Sequence, residues 1–303
     1  MMQSEKTCRK AVEPTFSRPL VLAVGELLWD ELPTGRMCGG AAANYIYHAK
    51  RAGANALLVS AVGRDRDGDA LLAALSAKNI DVRFITRNEF PTGRVSVRLN
   101  GTMPEYTIHE PAAWDHINLT DEIGNTAAKA DAVCFGTLAQ RSADSRAAIR
   151  ELLQLAAGAR FRILDVNLRQ NFYGREILTH SLRCANVLKL NDEELPVLAR
   201  MFGFPDTGEA TIGPLMEQFG LAYCIYTRGS RGSVLFDGGG RAEFPCGEGP
   251  VVDTVGCGDA FTAAWTCAML EGCSAQEAMV RATRTATAVA GCAGAMPDED
   301  NKK

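Results

Sequence analysis

The stretch D-T-V-G-C-G-D-A-F at residues 253–261 combines two glycines with a carboxylate at the start of an apolar run. That run is apolar at helical spacing and closes at Gly272, which predicts a helix over residues 258–271. Gly256 and Gly258 carry no side chain, so successive backbone N–H groups can turn toward one point. The start of the helix adds its own unpaired N–H groups and the positive end of its dipole. These amides are therefore expected to form an anion cradle.

Asp259 lies in the first turn of this predicted helix, beside the cradle. A permanent carboxylate would weaken phosphate binding, so Asp259 is expected to accept a proton from an attacking hydroxyl instead. The cradle would stabilise charge that develops on a transferred phosphoryl group. A purely structural interpretation, in which an acidic residue stabilises the first turn by about 0.3–1 kcal/mol, explains Asp259 but not the paired glycines. The stretch also lacks the G-x-x-x-x-G-K-[ST] motif and the third glycine of the dinucleotide fingerprint.

The composition is that of a soluble globular protein, with 303 residues, of which 47% are hydrophobic and 22% charged. A net charge of −4 without a basic run argues against a broad nucleic-acid-binding face. The sequence has ten cysteines but no C-x-x-C, and most lie in apolar runs. This pattern favours reduced, buried thiols in a cytoplasmic protein over disulfides or a metal centre. No apolar run reaches the ~18 residues of a membrane-spanning helix.

Short apolar segments alternate with amphipathic ones along most of the chain. This alternation predicts an α/β fold with a mostly parallel central sheet and helices on both faces. Strands are predicted at 19–25, 56–62, 81–86, 131–135, 161–166, 185–190 and 222–227. Helices are predicted at 41–52, 67–78, 143–157, 175–183, 192–202, 211–219, 258–271 and 274–293.

Two segments break this rhythm and predict a small β-structure. Residues 91–109 alternate at period two around Asn100-Gly101, which is typical of a hairpin. Residues 27–38 contain Pro33 and a Thr34-Gly35 turn and would add further strand. A β-structure attached to an α/β body suggests a lid over a site, with an extra surface hairpin as the alternative. The exposed edges of such a lid predict that two copies pair through it as a homodimer.

The predicted domain organisation has three parts. Residues 1–19 are polar and are expected to form a loose N-terminal tail. Residues 20–297 would form the α/β body with its lid, and residues 298–303 a polar C-terminal tail.

Polar residues follow four of the predicted strands, where open α/β sheets bind their ligands. Each alone is explained equally well as a helix cap or a turn, but their recurrence at four strand ends indicates a site. They are Asp30; Asp165, Asn167 and Arg169; N-D-E-E at 191–194; and T-R-G-S-R-G at 227–232.

Four motifs together resemble one protein family. D-T-V-G-C-G-D resembles the carboxy-terminal D-T-x-G-A-G-D signature of the ribokinase-like (PfkB) carbohydrate kinases, and G-G-A-A-A-N at 39–44 resembles their amino-terminal G-G-x-x-x-N signature. Between them lie N-x-x-E at 191–194 and T-x-G-x-x-G at 227–232. The resemblance runs from about residue 20 to 297. It implies an ATP-dependent kinase that phosphorylates a primary hydroxyl of a sugar.

The resemblance also implies a role for each matching residue. Asp259 would be the base and the amides of Gly256, Cys257 and Gly258 the anion hole, although Cys257 replaces the family's usual alanine and its thiol could make the site sensitive to oxidation. The sugar would be held by Asp30, Gly39, Gly40 and Asn44. Mg²⁺ would be organised through water by Asn191 and Glu194. The nucleotide phosphates would be lined by Thr227, Gly229 and Gly232, together with Asn191. A possible K⁺ would be bound by Asp253 and the carbonyl of Val255.

The substrate is narrowed by three motifs. G-G-A-A-A-N, D-V-N-L-R at 165–169 and A-A-W-D at 112–115 look more like bacterial fructokinases than ribokinases or adenosine kinases. Fructose is therefore the expected substrate. A 2-keto-3-deoxygluconate kinase is the alternative, because Arg94, Arg98 and Arg169 are available to bind a carboxylate. An alternative from another functional class is a sugar-binding regulator that has the kinase fold but catalyses no turnover. The intact Asp259 argues against it.

Overall fold

The computed structural model describes residues 18–32, 35–100, 103–205 and 208–298, with the backbone alone for residues 97–100 and 103–105. Its strands are β1 (Leu20–Val24), β2 (Leu28–Leu32), β3 (Gly35–Gly39), β4 (Asn55–Gly63), β5 (Ile85–Asn88), β6 (Gly93–Asn100), β7 (Met103–Ile108), β8 (Ala132–Phe135), β9 (Phe161–Asp165), β10 (Val187–Asn191), β11 (Tyr223–Thr227), β12 (Ser233–Asp237) and β13 (Gly240–Phe244). Its helices are α1 (Ala41–Arg51), α2 (Arg66–Ala77), α3 (Asp121–Ala127), α4 (Ala143–Leu155), α5 (Arg175–Cys184), α6 (Glu194–Phe202), α7 (Ile212–Phe219), α8 (Cys257–Leu270) and α9 (Ala275–Ala290).

The central sheet of the described chain has nine strands in the order β13-β12-β11-β10-β9-β8-β1-β4-β5. Neighbours from β11 to β5 pair in parallel, and β12 and β13 extend one edge antiparallel. The predicted α/β fold with a mostly parallel sheet is confirmed. Strands of such a sheet are covered on both faces, which is why they read as nearly continuous apolar runs.

Alternate residues of each strand feed two separate cores, one on each face of the sheet. In β1, Leu22 and Val24 belong to the first core, whereas Val21 and Ala23 belong to the second. Helices α3 to α7 cover the first face and α1, α2, α8 and α9 cover the second. Because successive side chains of a strand point to opposite faces, each strand contributes to both cores, and helices cover both faces of the sheet, as predicted.

Local signals define several helix ends. Ser274 and Glu277 form a capping box at the start of α9, in which each side chain accepts from the other residue's backbone N–H. Gly203 and Gly220 adopt the left-handed conformation directly after α6 and α7, a conformation that favours glycine and ends a helix.

The structure corrects one predicted strand and contains elements that the sequence does not predict. The strand predicted at 81–86 is β5 at Ile85–Asn88, because residues 83–84 form a turn and Asp81 makes only an isolated bridge to Leu57. The antiparallel hairpin of β12 and β13 was not predicted, and neither was the short helix α3.

The predicted β-structure forms a second sheet of four strands in the order β3-β2-β6-β7. Strands β6 and β7 form the predicted hairpin, and β2 pairs antiparallel with β3 and parallel with β6. The turn residues 33–34 and 101–102 lie outside the described residues, as do residues 1–17 and 299–303 of the two predicted tails. Among the helices that the structure describes, none combines the length and apolar character that crossing a membrane requires.

Candidate active site

Gly256 and Gly258 lie at the start of α8, where the sequence predicts an anion cradle. Gly256 has a φ of 77°, and a Cβ there would collide with Ala295, so the position needs glycine on both conformational and steric grounds. The cradle differs from the prediction in one amide, because the N–H of Cys257 points to the carbonyl of Thr254 at 3.3 Å. No backbone hydrogen bond from the N–H of Gly256 or Gly258 is formed within the described part of the chain. These two amides are available to an anion.

Asp259 lies in the first turn of α8 and is hydrogen-bonded to a residue of α1. Its Oδ2 accepts a hydrogen bond from Nδ2 of Asn44 at 2.8 Å. Burial, followed by the nearby charge of Asp165, raises its pKa to about 7, although Asn44 and Lys189 act in the opposite direction. A carboxyl group with a pKa near neutrality is well suited to accept a proton from a hydroxyl and release it later.

The residues predicted to hold a sugar converge next to Asp259. Gly39 ends β3 directly against Asp30, since a Cβ on Gly39 would overlap the Asp30 carboxylate. Gly40 has a φ of 107°, and a Cβ there would collide with the carbonyl of Glu26. Asn44 is buried, and its Oδ1 has no hydrogen-bond partner. A buried acceptor without a partner is costly unless a ligand donates to it.

Two carboxyl groups, Asp30 and Glu26, share one neighbouring cation in this half of the site. Burial raises the pKa of Asp30 to about 6, while Arg169 lowers it and Glu26 raises it further. Burial also raises the pKa of Glu26, and Arg169 is again the neighbouring cation. The guanidinium of Arg169 therefore interacts electrostatically with both carboxyl groups.

The loop at residues 191–194 is held rigidly by its own side chains. Oδ1 of Asn191 accepts from the N–H groups of Glu193 and Glu194, both at 2.9 Å. The Glu194 carboxylate accepts from the N–H of Asn191 at 2.8 Å and from that of Leu168 at 3.0 Å. No cluster of three or more potential metal ligands occurs in the described residues. The donor set fits a Mg²⁺ held mainly by water and ligand oxygens rather than a cation caged by protein.

The turn at residues 227–232 lies against that loop. Its conformation depends on Gly229, with a φ of 56°, and on Gly232, with a φ of 82°. Arg231 forms an ion pair with Asp192 at 2.6 Å, which joins the two loops. The hydroxyl of Thr227 is 3.4 Å from the carbonyl of Leu190. The predicted nucleotide-phosphate residues and the predicted Mg²⁺ residues are therefore neighbours.

Asp253 connects the cradle loop to the segment after α9. Its two carboxylate oxygens accept from the N–H of Val255 and from that of Gly294, each at 3.0 Å. Behind this segment, a ring nitrogen of His48 lies 2.9 Å from the carbonyl of Ala295. The cradle is thus supported from α1 through Ala295.

Comparison with known proteins identifies the family that this geometry suits. The model of the pfkB family of carbohydrate kinases matches residues 34–302. The chain belongs to the pfkB family of carbohydrate kinases. An uncharacterized sugar kinase of Pyrococcus horikoshii is 28% identical over 263 residues, which cover 81% of each chain. Its crystal structure superposes with a TM-score of 0.80 and 26% identity over 93% of this chain and 95% of that chain.

Two further relatives of this pfkB kinase have named activities. The ATP-dependent 6-phosphofructokinase of Thermoanaerobacterium thermosaccharolyticum is 26% identical over 271 residues, covering 83% of this chain and 82% of that protein. A fructokinase of Rhizobium leguminosarum bv. trifolii is 24% identical over 259 residues, covering 80% of this chain and 78% of that protein. The comparison with known proteins therefore places the chain among sugar kinases without distinguishing between their sugars.

Two charged residues next to the candidate site, Glu26 and Lys189, are not among the predicted site residues. Glu26, buried after β1, accepts from the N–H of Ala41 at 3.2 Å. Lys189 is a buried lysine in the apolar strand V-L-K-L-N and pairs with Asp165 at 3.0 Å. A charged residue inside an apolar strand is itself a signal, because such a residue needs a partner. The sequence identifies Asp165 as polar at a strand end but does not reveal its partner.

Proposed function

We propose that this pfkB kinase transfers the γ-phosphoryl group of ATP to a primary hydroxyl of a sugar, most specifically fructose. One observation carries the proposal. Asp259, whose carboxyl has a pKa of about 7, lies between the free amides of Gly256 and Gly258 and the sugar-side residue Asn44. A base, an anion cradle and a hydroxyl-binding group are thus arranged around one point, as in-line phosphoryl transfer requires.

The sugar is oriented by hydrogen-bond acceptors and by close contact with the backbone of the chain. Asp30 accepts hydrogen bonds from sugar hydroxyls, and the free Oδ1 of Asn44 accepts another. Gly39 and Gly40 allow the sugar to approach the backbone closely. Asp259 then takes the proton of the attacking hydroxyl, while the amides of Gly256 and Gly258 stabilise charge on the transferred group.

The nucleotide is assigned to the adjoining loops. Thr227, Gly229 and Gly232 line its phosphates, and Asn191 and Glu194 orient the water around Mg²⁺. A Mg²⁺ bound there would neutralise part of the negative charge of the nucleotide phosphates. Asp253 and the carbonyl of Val255 are the proposed K⁺ ligands. An ATP complex of the Pyrococcus horikoshii relative, which is 27% identical, supports the nucleotide assignment.

Fructose is favoured over an acidic sugar by the charge around Arg169. Its guanidinium interacts electrostatically with two carboxyl groups of the chain, Asp30 and Glu26. A keto-acid would bring a further negative charge to this pair of carboxyl groups. Of the other two predicted carboxylate partners, Arg94 lies on β6, and the side chain of Arg98 lies outside the described side chains.

A coupled assay of ADP release with a panel of sugars tests this proposal. Fructose is expected to give a higher kcat/KM than ribose, adenosine or 2-keto-3-deoxygluconate, by ~10⁴ for analogues that leave polar groups unpaired. A higher kcat/KM for the keto-acid would overturn the substrate and retain the kinase. The absence of ADP release with every sugar would favour the regulator without turnover.

The lid, the homodimer and the cytoplasmic location belong to the same proposal. The four-stranded sheet of β2, β3, β6 and β7 would close over the sugar, which excludes water from the transfer. Two copies would pair through its edges. The cysteines of the described chain are all free thiols, which suits a reducing cytoplasm.

A further inference from the structure

A lysine lies buried beneath the candidate site. Lys189 on β10 is 7% exposed, and its Nζ is 3.0 Å from Oδ1 of Asp165 on the neighbouring strand β9. Both side chains are less than a tenth exposed, at 9% and 8%. A buried charge is tolerated only when it is paired. The two charges are therefore held in one place by the sheet itself.

This pair touches the first turn of α8 at two points. A Cβ on Gly258 would lie 3.0 Å from Nζ of Lys189, so the ammonium group packs against the backbone of the anion hole. The hydroxyl of Thr262, one turn later, lies 2.9 Å from the carbonyl of Gly258 and 3.4 Å from Oδ2 of Asp165. A Cβ at residue 258 would therefore crowd the ammonium group.

The ammonium group faces more than one carboxylate. Burial lowers the pKa of Lys189, but the charges of Asp165, Glu194 and Asp259 outweigh this effect and raise it. The ion pair with Asp165 therefore holds the positive charge of Lys189 among these carboxylates. The titratable groups that interact with Asp259 are Asp165 on β9, Lys189 on β10, Glu26 after β1, Cys134 on β8 and Cys257 on α8.

We propose that Lys189 is a positioning residue for phosphoryl transfer, whose ammonium group, fixed by Asp165, places a positive charge directly behind the anion hole at Gly258. This inference rests on the proposed transfer reaction. The charge stabilises the transferred phosphoryl group through the backbone of residues 256–258, without touching it. It also balances Asp165, which would otherwise repel the carboxylate form of Asp259.

Neutral substitutions of Lys189 and of Asp165 distinguish the effect on the titration of Asp259 from the effect on the transferred phosphoryl group. Lys189→Met leaves Asp165 uncompensated, so the acidic limb of the pH profile of kcat/KM should move up by roughly one pH unit. Asp165→Asn removes the repulsion and should move the same limb down. A merely structural role would not shift the limb in opposite directions. The maximal kcat of Lys189→Met should fall about 10- to 100-fold, with little change in the KM for ATP.

The double variant Lys189→Met/Asp165→Asn removes both charges together. It tests whether the ammonium charge stabilises the transferred phosphoryl group even if the single lysine variant fails to fold. Its acidic limb should return close to that of the wild type, and its maximal kcat should remain about 10- to 100-fold below that of Asp165→Asn. The proposal is overturned if both single variants shift the limb in the same direction, or if the double variant matches Asp165→Asn in kcat. Both outcomes require an active wild type, so failure of the proposed reaction would be recognised separately by the absence of ADP release.

Discussion

Asp259 occupies a position that helix electrostatics alone would also favour, and substitution distinguishes the two roles. We expect Asp259→Asn to lower kcat by ~10²–10⁴ with little change in nucleotide affinity, because the amide cannot accept the hydroxyl proton. Steady-state kinetics and nucleotide titration measure the two quantities. Asp121→Asn is the matched control, because Asp121 lies in the first turn of α3. A near-normal kcat for Asp259→Asn would show that the base is another group.

Cys257 replaces the usual alanine in the anion hole, and its surroundings oppose the oxidation sensitivity suggested by the sequence. Burial, followed by the charges of Asp253 and Asp259, raises the pKa of its thiol to about 11. Because the thiolate is the reactive form, we expect iodoacetamide at neutral pH to modify the exposed Cys246 well before Cys257. Peptide mass mapping over time measures both rates. Faster labelling of Cys257 would contradict this expectation.

A companion variant tests whether the thiol contributes to turnover. The cradle uses backbone groups, so Cys257→Ala should retain kcat within about threefold of the wild type.

At the scale of elements, α1 supports the cradle through an uncharged histidine. Burial lowers the pKa of His48 from 6.5 to about 4, so the folded protein keeps this ring neutral beside the carbonyl of Ala295. The unfolded chain binds a proton more readily, and the contribution of His48 to stability is present above pH 6.5 and is lost as the pH falls toward 4. We expect His48→Gln to remove about 2 kcal/mol of this pH dependence.

Urea unfolding of wild type and variant at pH 7 and pH 4.5 measures that difference. His180→Gln, on α5, is the control, because the ring of His180 is only partly buried. An equal loss of stability on acidification in wild type and His48→Gln would contradict the expectation.

The elements that sequence patterns predict are those with one dominant physical signal. Strand β1 and helix α8 combine apolar runs with glycine boundaries, and both were predicted to within about two residues. Strands β12 and β13 form an edge hairpin around Gly238-Gly239, in which β13 has no buried side chain and the buried run of β12 is only three residues long, so no strong pattern predicts them. Helix α3 has only 7 residues, too few for an apolar periodicity to predict a helix.

The sequence predicts which residues belong to the candidate site but not which of them contact one another. Motifs identify Asn44 and Asp259, but the two are 215 positions apart, and only the fold brings them to 2.8 Å. The pairing of Lys189 with Asp165 likewise depends on the adjacency of β9 and β10. Periodicity and composition carry no information about such distant contacts, which determine the pKa of Asp259.

At the scale of the whole molecule, the site lies where the two sheets meet. Asp30 is on a strand of the small sheet, and Asn191 and Thr227 end strands of the large one. Arg169 follows β9, and Gln170 next to it donates to the carbonyl of Tyr106 on β7 at 3.0 Å. A change in the position of the small sheet would therefore act directly on the sugar-side residues.

The small sheet also determines the expected assembly. Its outer strand β7 exposes 51% of Tyr106, and the edge of a sheet offers unpaired N–H and C=O groups to a second copy. We expect the wild type to be a dimer at micromolar concentration and Tyr106→Glu to be largely monomeric, because the charge would be buried without a partner. Light scattering measures the mass of each. Val280→Glu is the control, because Val280 on α9 is also exposed, at 49%, but lies outside the small sheet; this variant should remain dimeric. A monomeric wild type would show that the small sheets of two copies do not pair.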